Sequence, residues 1–268
     1  MGAIVSTLAF PNPPREYSES LLRQHEGLVW IKTASGLQIP AVHLYPQSYV
    51  SNKRQPKQQQ QQRPTILYSH GNAEDLGIIL PYLQTMANTL QCPVLGYEYP
   101  GYSLAQGKHA SESLCYEAIQ AAYEYLTTSS HCACRQVVAF GRSLGSGPTV
   151  HLCAQNPDHV VGCILQSPLS SAIRCVLDSC TATSLSFLDI FDNQGKIAQI
   201  RTPVFILHGT ADTVVPCAHG KDLYAALQQD RHPGLDYPPL WIGGRGHNDM
   251  PERFCLAHCR DFITWLGD

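Results

Sequence analysis

The stretch Val137-Val138-Ala139-Phe140-Gly141-Arg142-Ser143-Leu144-Gly145-Ser146-Gly147 decides how the chain is read. It begins as a short apolar run rich in β-formers and ends in small residues able to open a helix. Between them lies Gly-x-Ser-x-Gly, with Gly141, Ser143 and Gly145 in the fixed places. A serine at a strand-to-helix turn of this kind is forced into a strained backbone conformation. The flanking glycines are required because side chains there would collide with the adjoining strand and helix. The strain presents Oγ to solvent, and the N-terminus of the following helix favours developing negative charge. The five-residue pattern is common by itself. Its weight comes from the strand before it, the helix after it and suitable partners later in the chain.

Outward from that stretch, 268 residues are enough to bury a sizeable core as one α/β domain, and 44% hydrophobic residues is a globular level. A net charge of -3 offers no electrostatic footprint for nucleic acid. No apolar run reaches the roughly 18 residues of a transmembrane helix. No positively charged start precedes an apolar core, so no secretory signal is read. The 11 cysteines are therefore expected as buried, reduced thiols rather than a disulfide framework. His131-Cys132-Ala133-Cys134 offers two thiols at tight spacing without a second pair nearby, too few for a metal site.

The opening Met1-Gly2-Ala3-Ile4-Val5-Ser6 fits the pattern for N-myristoylation of Gly2. One such chain binds membranes marginally, so a second signal is expected. The first cysteine is Cys92 and the segment is not polybasic, which leaves Ile4, Val5, Leu8 and Phe10 as a weak apolar contribution. Residues 1–27 are read as a leader and membrane-anchor segment. The protein is expected in the cytoplasm, peripheral on the cytosolic face of membranes.

Residues 28–268 are read as a single domain. Leu28–Lys32 and Leu37–Leu44 form a hairpin through Ala34-Ser35-Gly36. The polar insert 46–64, with Gln58–Gln62, is assigned no chemistry. Thr65–Ser69 is a strand, Glu74–Leu90 a helix and Val94–Tyr97 a strand. Ser111–Thr127 has helical spacing, with Leu114, Ala118, Ala121, Ala122 and Tyr125 on or near one face. The elbow strand and its helix follow, then a strand at Val160–Leu165. Residues 167–199 show no clean period and are the natural lid or crossover region. A strand at Pro203–Leu207, a helix at about His219–Leu227, a strand at Leu240–Ile242 and a helix at about Pro251–Trp265 complete the chain. Strands alternating with helices at this spacing predict a mostly parallel central sheet covered by helices on both faces. Functional residues of such a sheet gather at the carboxyl ends of its strands, and His70, Glu98, Ser143, Asp212 and His247 all fall there.

A serine hydroxyl needs a base to take its proton and an acid to orient that base. The order Ser143, Asp212, His247 matches the α/β-hydrolase architecture. Asp212 would hold one imidazole nitrogen, and His247 would take the Ser143 proton through the other. The oxyanion hole would use backbone N–H groups of Leu144, directly after the nucleophile, and of Asn72, after the Thr65–Ser69 strand; each donor is worth about 3 kcal/mol of barrier. Asp178, Asp189, Asp192 and Asp249 are the rival acids. His70 and His208 read as loop-shaping residues, Glu98 as a structural acceptor, and His151, His159, His219 and His258 as structural or surface residues. No metal and no cofactor is implied. An ester hydrolase with the same triad and a non-catalytic binding module are the competing readings.

These residues resemble the α/β-hydrolase domain-containing 17 family, serine hydrolases that act as protein depalmitoylases. The resemblance is carried by His70-Gly71-Asn72-Ala73-Glu74-Asp75-Leu76-Gly77, Tyr97-Glu98-Tyr99-Pro100-Gly101-Tyr102, Gly141–Pro148, Ser167-Pro168-Leu169, His208-Gly209-Thr210-Ala211-Asp212 and Gly246-His247-Asn248-Asp249. It covers roughly residues 28–266, and Met1-Gly2 with Phe10–Pro14 also resembles plant and protist members. It implies a triad of Ser143, Asp212 and His247, and cleavage of long-chain acyl thioesters from S-palmitoylated proteins. It also implies an acylated protein or lipid as partner and peripheral membrane association. Glu98, Arg142 and Ser103 stand where the family usually has aspartate, glutamine and glycine, and the N-terminal cysteine cluster of animal members is missing.

Overall fold

The computed structural model describes residues 17–51, 63–129, 134–171, 190–229, 235 and 237–267. Gly2, the glutamine run Gln58–Gln62, Cys132, the rival acids Asp178 and Asp189 and most of the expected lid region lie outside the described residues. The chain divides into two compact units, Met1–Val138 and Ala139–Asp268.

The first unit holds α1 (Glu19–Arg23), β1 (Leu28–Lys32), β2 (Gln38–Leu44), α2 (Gln47–Ser51), β3 (Thr65–Ser69), α3 (Leu76–Leu90), β4 (Val94–Tyr97) and α4 (Glu112–Thr128). Its strands lie in the order β1-β2-β4-β3. The β1–β2 hairpin is antiparallel from Leu28↔Val42 to Lys32↔Gln38, and Gly36 at φ 86° supplies its left-handed turn residue. β2 pairs antiparallel with β4, and β3 pairs parallel with β4. Every residue of β3 and of β4 is buried, the continuous apolar run of strands covered on both faces.

One local difference from the sequence reading has a physical reason. Helix α3 begins at Leu76, two residues later than its predicted start. Asp75 is its N-cap, with Oδ1 accepting from Gly77 N and Ile78 N at 3.0 Å each, while Glu74 turns back to accept from Gly71 N at 2.8 Å. Ser111 caps α4 through Leu114 N. The buried residues of that helix are Cys115, Ala118, Ile119, Ala121, Ala122, Tyr123 and Leu126, and Leu114 and Tyr125 sit beside them, half-buried. Ser103 stands at φ 44°, a region that favours glycine, and its hydroxyl meets Tyr17 Oη at 2.7 Å.

Strand β5 (Val137–Arg142) crosses from the first unit into the second. The second unit then holds a 3-10 turn (Ser143–Gly145), α5 (Ser146–Ala154), β6 (Val160–Gln166) and α6 (Asn193–Lys196) with a 3-10 turn at Ile197–Gln199. β7 (Val204–Gly209), α7 (Cys217–Gln229), β8 (Leu240–Ile242) and α8 (Glu252–Trp265) follow. β6 pairs parallel with β7, and β7 parallel with β8. β7 extends two residues beyond its predicted end, because His208 and Gly209 pair with Trp241 and Ile242. Strand and helix thus alternate as the βα spacing predicts, with β3–β4, β6–β7 and β7–β8 parallel and β1–β2 and β2–β4 antiparallel.

Described residues within the expected lid region are tied by hydrogen bonds. Asp192 Oδ1 accepts from Gly195 N at 2.9 Å to start α6, and Gln194 N donates to Ser170 O at 2.9 Å. The eight described cysteines are free, and all but Cys134 are buried. No helix among the described residues is long and apolar enough to cross a membrane.

Candidate active site

Ser143 follows β5 at φ 52°, the left-handed region that costs a non-glycine residue energy and persists only where surrounding structure imposes it. The imposing contact is at Gly141. A Cβ there would come within 2.5 Å of Gly145 O and 2.6 Å of Thr149 Oγ1, so α5 returns against the strand only because Gly141 has no side chain. Two further ties fix the turn. Ser146 Oγ donates to Ser143 O at 2.6 Å, and it accepts from Leu169 N at 3.2 Å and Asn193 Nδ2 at 3.3 Å. The elbow is thereby joined to Leu169 and Asn193, both within the expected lid region.

Asp212 follows β7 and His247 follows β8. The loops carrying them are stitched together: Thr210 N donates to Ile242 O, Ala211 N to Arg245 O and Gly244 N to Thr210 Oγ1, each at 2.9 Å. A Cβ on Gly209 would meet Arg245 O at 2.2 Å, so this glycine admits the His247 loop. Asp249 Oδ1 accepts from Gly246 N, which closes the turn around His247 and keeps this rival acid off the imidazole. Among the other rivals, Asp192 caps α6.

The result is a hydrogen-bonded chain within the second unit. His247 Nδ1 lies 2.7 Å from Asp212 Oδ2, and His247 Nε2 lies 2.9 Å from Ser143 Oγ. The aspartate side chain is fully buried and that of the histidine is 8% exposed. Asp212 accepts only, so Nδ1 carries the ring proton and Nε2 presents its lone pair to the serine hydroxyl. This is the tautomer in which a serine proton can pass to the imidazole and the resulting imidazolium is stabilised by the carboxylate. Arg142, one residue before the nucleophile, donates to Asn248 Oδ1 at 2.9 Å and so links the strand of the serine to the loop of the histidine.

With that geometry in place, a putative α/β hydrolase of Acanthamoeba polyphaga mimivirus is 31% identical over 256 residues, spanning 96% of this chain and 90% of that protein. The chain belongs to the α/β-hydrolase family. Human α/β hydrolase domain-containing protein 17B is 36% identical over 186 residues (69% of this chain), and Caenorhabditis elegans protein aho-3 is 34% identical over 200 (74%). The resemblance to the domain-containing 17 proteins thus holds over most of the chain. The alignments span 61% and 57% of those two relatives' own lengths. A family model described as Chlamydia CHLPS protein (DUF818) matches residues 56–161. In fold, the chain is similar to an esterase of Pyrococcus furiosus, at TM-score 0.65 and 14% identity over 96% of this chain and 95% of that one. Mouse α/β hydrolase domain-containing protein 10 follows the same fold, at TM-score 0.62 and 14% identity over 89% and 99% of the two chains.

The two oxyanion candidates of this α/β hydrolase occupy different units. Leu144 lies in the turn directly after Ser143. Asn72 lies after β3, where its Oδ1 accepts from Ala73 N at 3.1 Å and from Tyr102 Oη at 3.2 Å. That turn rests on a buried network. His70 Nε2 is 2.9 Å from Glu98 Oε1, Glu98 Oε2 accepts from Leu76 N at 3.0 Å, and Tyr99 Oη donates to His70 O at 2.8 Å. Glu98 therefore takes up the acceptor work read for it from sequence. His219 is a buried partner of Ser170, through the backbone N–H at 3.1 Å and the hydroxyl at 3.0 Å.

Sequence reasoning missed Ser146, Asn193 and the contacts of His208. Ser146 sits directly after the elbow's last fixed glycine, the place where a helix-opening hydroxyl can reach back. Asn193 carries no local signal because its partners are remote in sequence, and those of His208, four and seven residues on, lie past the end of a strand, where spacing does not fix direction.

Proposed function

We propose that this α/β hydrolase cleaves long-chain acyl thioesters from S-acylated proteins through an acyl-Ser143 intermediate. The observation that carries the reaction class is the unbroken chain from Ser143 Oγ through His247 to Asp212, at 2.9 and 2.7 Å. The substrate class rests on the resemblance to the domain-containing 17 depalmitoylases.

In the first half-reaction Ser143 Oγ attacks the thioester carbonyl carbon while His247 Nε2 takes the hydroxyl proton. Negative charge gathers on the carbonyl oxygen, which the N–H groups of Leu144 and Asn72 are proposed to receive. The C–S bond breaks and the cysteine sulfur leaves, taking the proton from His247. In the second half a water gives its proton to His247 and attacks the acyl-serine carbonyl; the C–Oγ bond breaks, Ser143 Oγ takes the proton back from His247 Nε2, and the fatty acid is released. Asp212 stays ionised throughout and stabilises the imidazolium of each half.

The test compares a palmitoyl-cysteine peptide with the matched oxygen ester of the same chain length. The proposal expects turnover of the thioester at a kcat/KM at least about tenfold above the ester. Cleavage of the ester alone would keep the triad and replace the substrate class by a carboxylester or lipid ester. Failure to label with a serine-directed fluorophosphonate would favour the non-catalytic reading.

Membrane association is proposed to come from acylation of Gly2. Gly2→Ala is expected to move the expressed protein into the soluble fraction, and an unchanged distribution would remove that anchor from the account.

A further inference from the structure

Asp212 meets more donors than His247 alone. Its Oδ1 accepts from the backbone N–H groups of Val214 at 2.9 Å and Val215 at 2.8 Å. Its Oδ2 lies 2.7 Å from His247 Nδ1 and also 3.2 Å from Nε2 of a second histidine, His208. His208 is completely buried, in the part of β7 paired with Trp241 of β8. Its Nε2 is also 2.8 Å from Val215 O. Both neighbours of Nε2 are acceptors, so the ring proton is on Nε2. Nδ1 is buried with no hydrogen-bond partner among the described residues.

A residue kept only for packing would be apolar at such a place, since a buried nitrogen without a partner is destabilising. The neighbouring helix is also shaped to the ring: a Cβ on Gly220 of α7 would lie 2.7 Å from His208 Nδ1. The fold therefore accepts both an orphaned nitrogen and a helix glycine in order to aim Nε2–H at the turn that carries Asp212.

We infer that His208 is a positioning residue, whose Nε2–H is shared between Val215 O and Asp212 Oδ2 and fixes the carboxylate where His247 needs it. The inference rests on the triad reading proposed above. Burial lowers the His208 pKa from its ordinary value, so the ring is neutral and adds a dipole rather than a second cation beside His247. That dipole draws charge from Oδ2. Removing it leaves Asp212 a stronger partner for the His247 imidazolium, so the base becomes easier to protonate. The other titratable or charged groups on neighbouring elements include Arg142 on β5, Cys217, His219, Lys221, Asp222 and Tyr224 on α7, and Arg245 and Asp249 on the His247 loop. None of them is changed by a substitution at His208.

The experiment measures kcat, KM and the pH profile of kcat/KM on a short-chain p-nitrophenyl ester, using the full chain. The variants are His208→Phe, His208→Gln and His208→Asn, with Ser143→Ala as control. His208→Phe is expected to lower kcat by roughly 10- to 100-fold, the range typical of residues that orient a site ligand, with little change in KM. The acid limb of the profile is expected to rise by about half a pH unit or more as Asp212 gains basicity. Gln places its amide nitrogen the same number of bonds from Cα as Nε2, and should return both kcat and the limb to near wild type. Asn falls one bond short and should not. A wild-type kcat and limb in the Phe variant, a loss of kcat with the limb unmoved, or a Gln variant no better than Asn would each overturn the inference. If His208→Phe fails to fold, the Gln and Asn pair alone decides between these outcomes. Turnover that survives in Ser143→Ala would instead remove the triad reading, independently of any His208 variant.

Discussion

Ser143→Ala is expected to lower kcat about a million-fold, the order found when the nucleophile of another serine hydrolase is removed. The size of the effect follows from the arrangement rather than from the residue type. His247 presents a lone pair to Ser143 Oγ at 2.9 Å and has no other acidic hydrogen in front of it in that tautomer. Without the hydroxyl the base has only water to activate, and water is not held against the substrate carbonyl. The fold should survive. Alanine keeps the backbone at the strained φ of 52°, while Gly141, Ser146 and Asn193 still hold the elbow. Only the side-chain hydrogen bond to His247 is lost, worth about 1 kcal/mol. Turnover of a thioester or ester peptide, measured with a parallel melting curve, checks this. Residual kcat within about tenfold of wild type, in a folded protein, would mean that the nucleophile lies elsewhere.

Asp212→Asn is expected to lower kcat about ten-thousand-fold, the scale measured for the corresponding change in a serine protease. Here the substitution should also destabilise the protein. Three donors converge on the carboxylate, Val214 N, Val215 N and His247 Nδ1, and His208 Nε2 stands 3.2 Å from Oδ2. An amide offers one acceptor oxygen, so its NH2 must face a donor on one side or the other. If the oxygen stays with the two backbone N–H groups, the NH2 faces His247. The imidazole then flips to the tautomer whose Nε2–H points at Ser143, and it can no longer accept the serine proton. If the oxygen turns to His247, the backbone donors of Val214 and Val215 lose their partner, and for the buried one, Val215, the cost is roughly 1–3 kcal/mol. Either way activity falls, and the second way also lowers the melting temperature. A loss of less than tenfold, or a variant as stable as wild type with its base still in the accepting tautomer, would contradict this account.

Much of the architecture is legible because it is written in short-range patterns. Apolar runs of four to seven residues set the strands. Ser111, read as the start of α4, caps it through a bond three residues away. The sequence also names the three candidate residues, through a five-residue elbow motif and the order in which an acid and a histidine follow it. The errors are small and local. β7 runs on through His208 and Gly209 because β8 offers partners for them, and α3 starts late because Asp75 spends its side chain on the cap. Both were decided by competition for hydrogen bonds, which a count of apolar positions does not register.

From its sequence alone this protein is determined to be an alternation of strands and helices, with a serine elbow and an acid and a histidine placed after later strands. Those properties depend on neighbours within about four residues along a helix or two along a strand. The tertiary structure alone decides which groups share the carboxylate of Asp212, that Ser146 and Asn193 brace the elbow, and that Arg142 reaches Asn248. The contacts involved join residues 4, 35, 47, 104 and 106 positions apart. Even the nearest, His208 with Asp212, spans the end of a strand, where spacing in sequence does not fix direction. Such contacts depend on the path of the chain and on the absence of a Cβ at Gly141, Gly209 and Gly220, and neither has a periodic signature in the sequence.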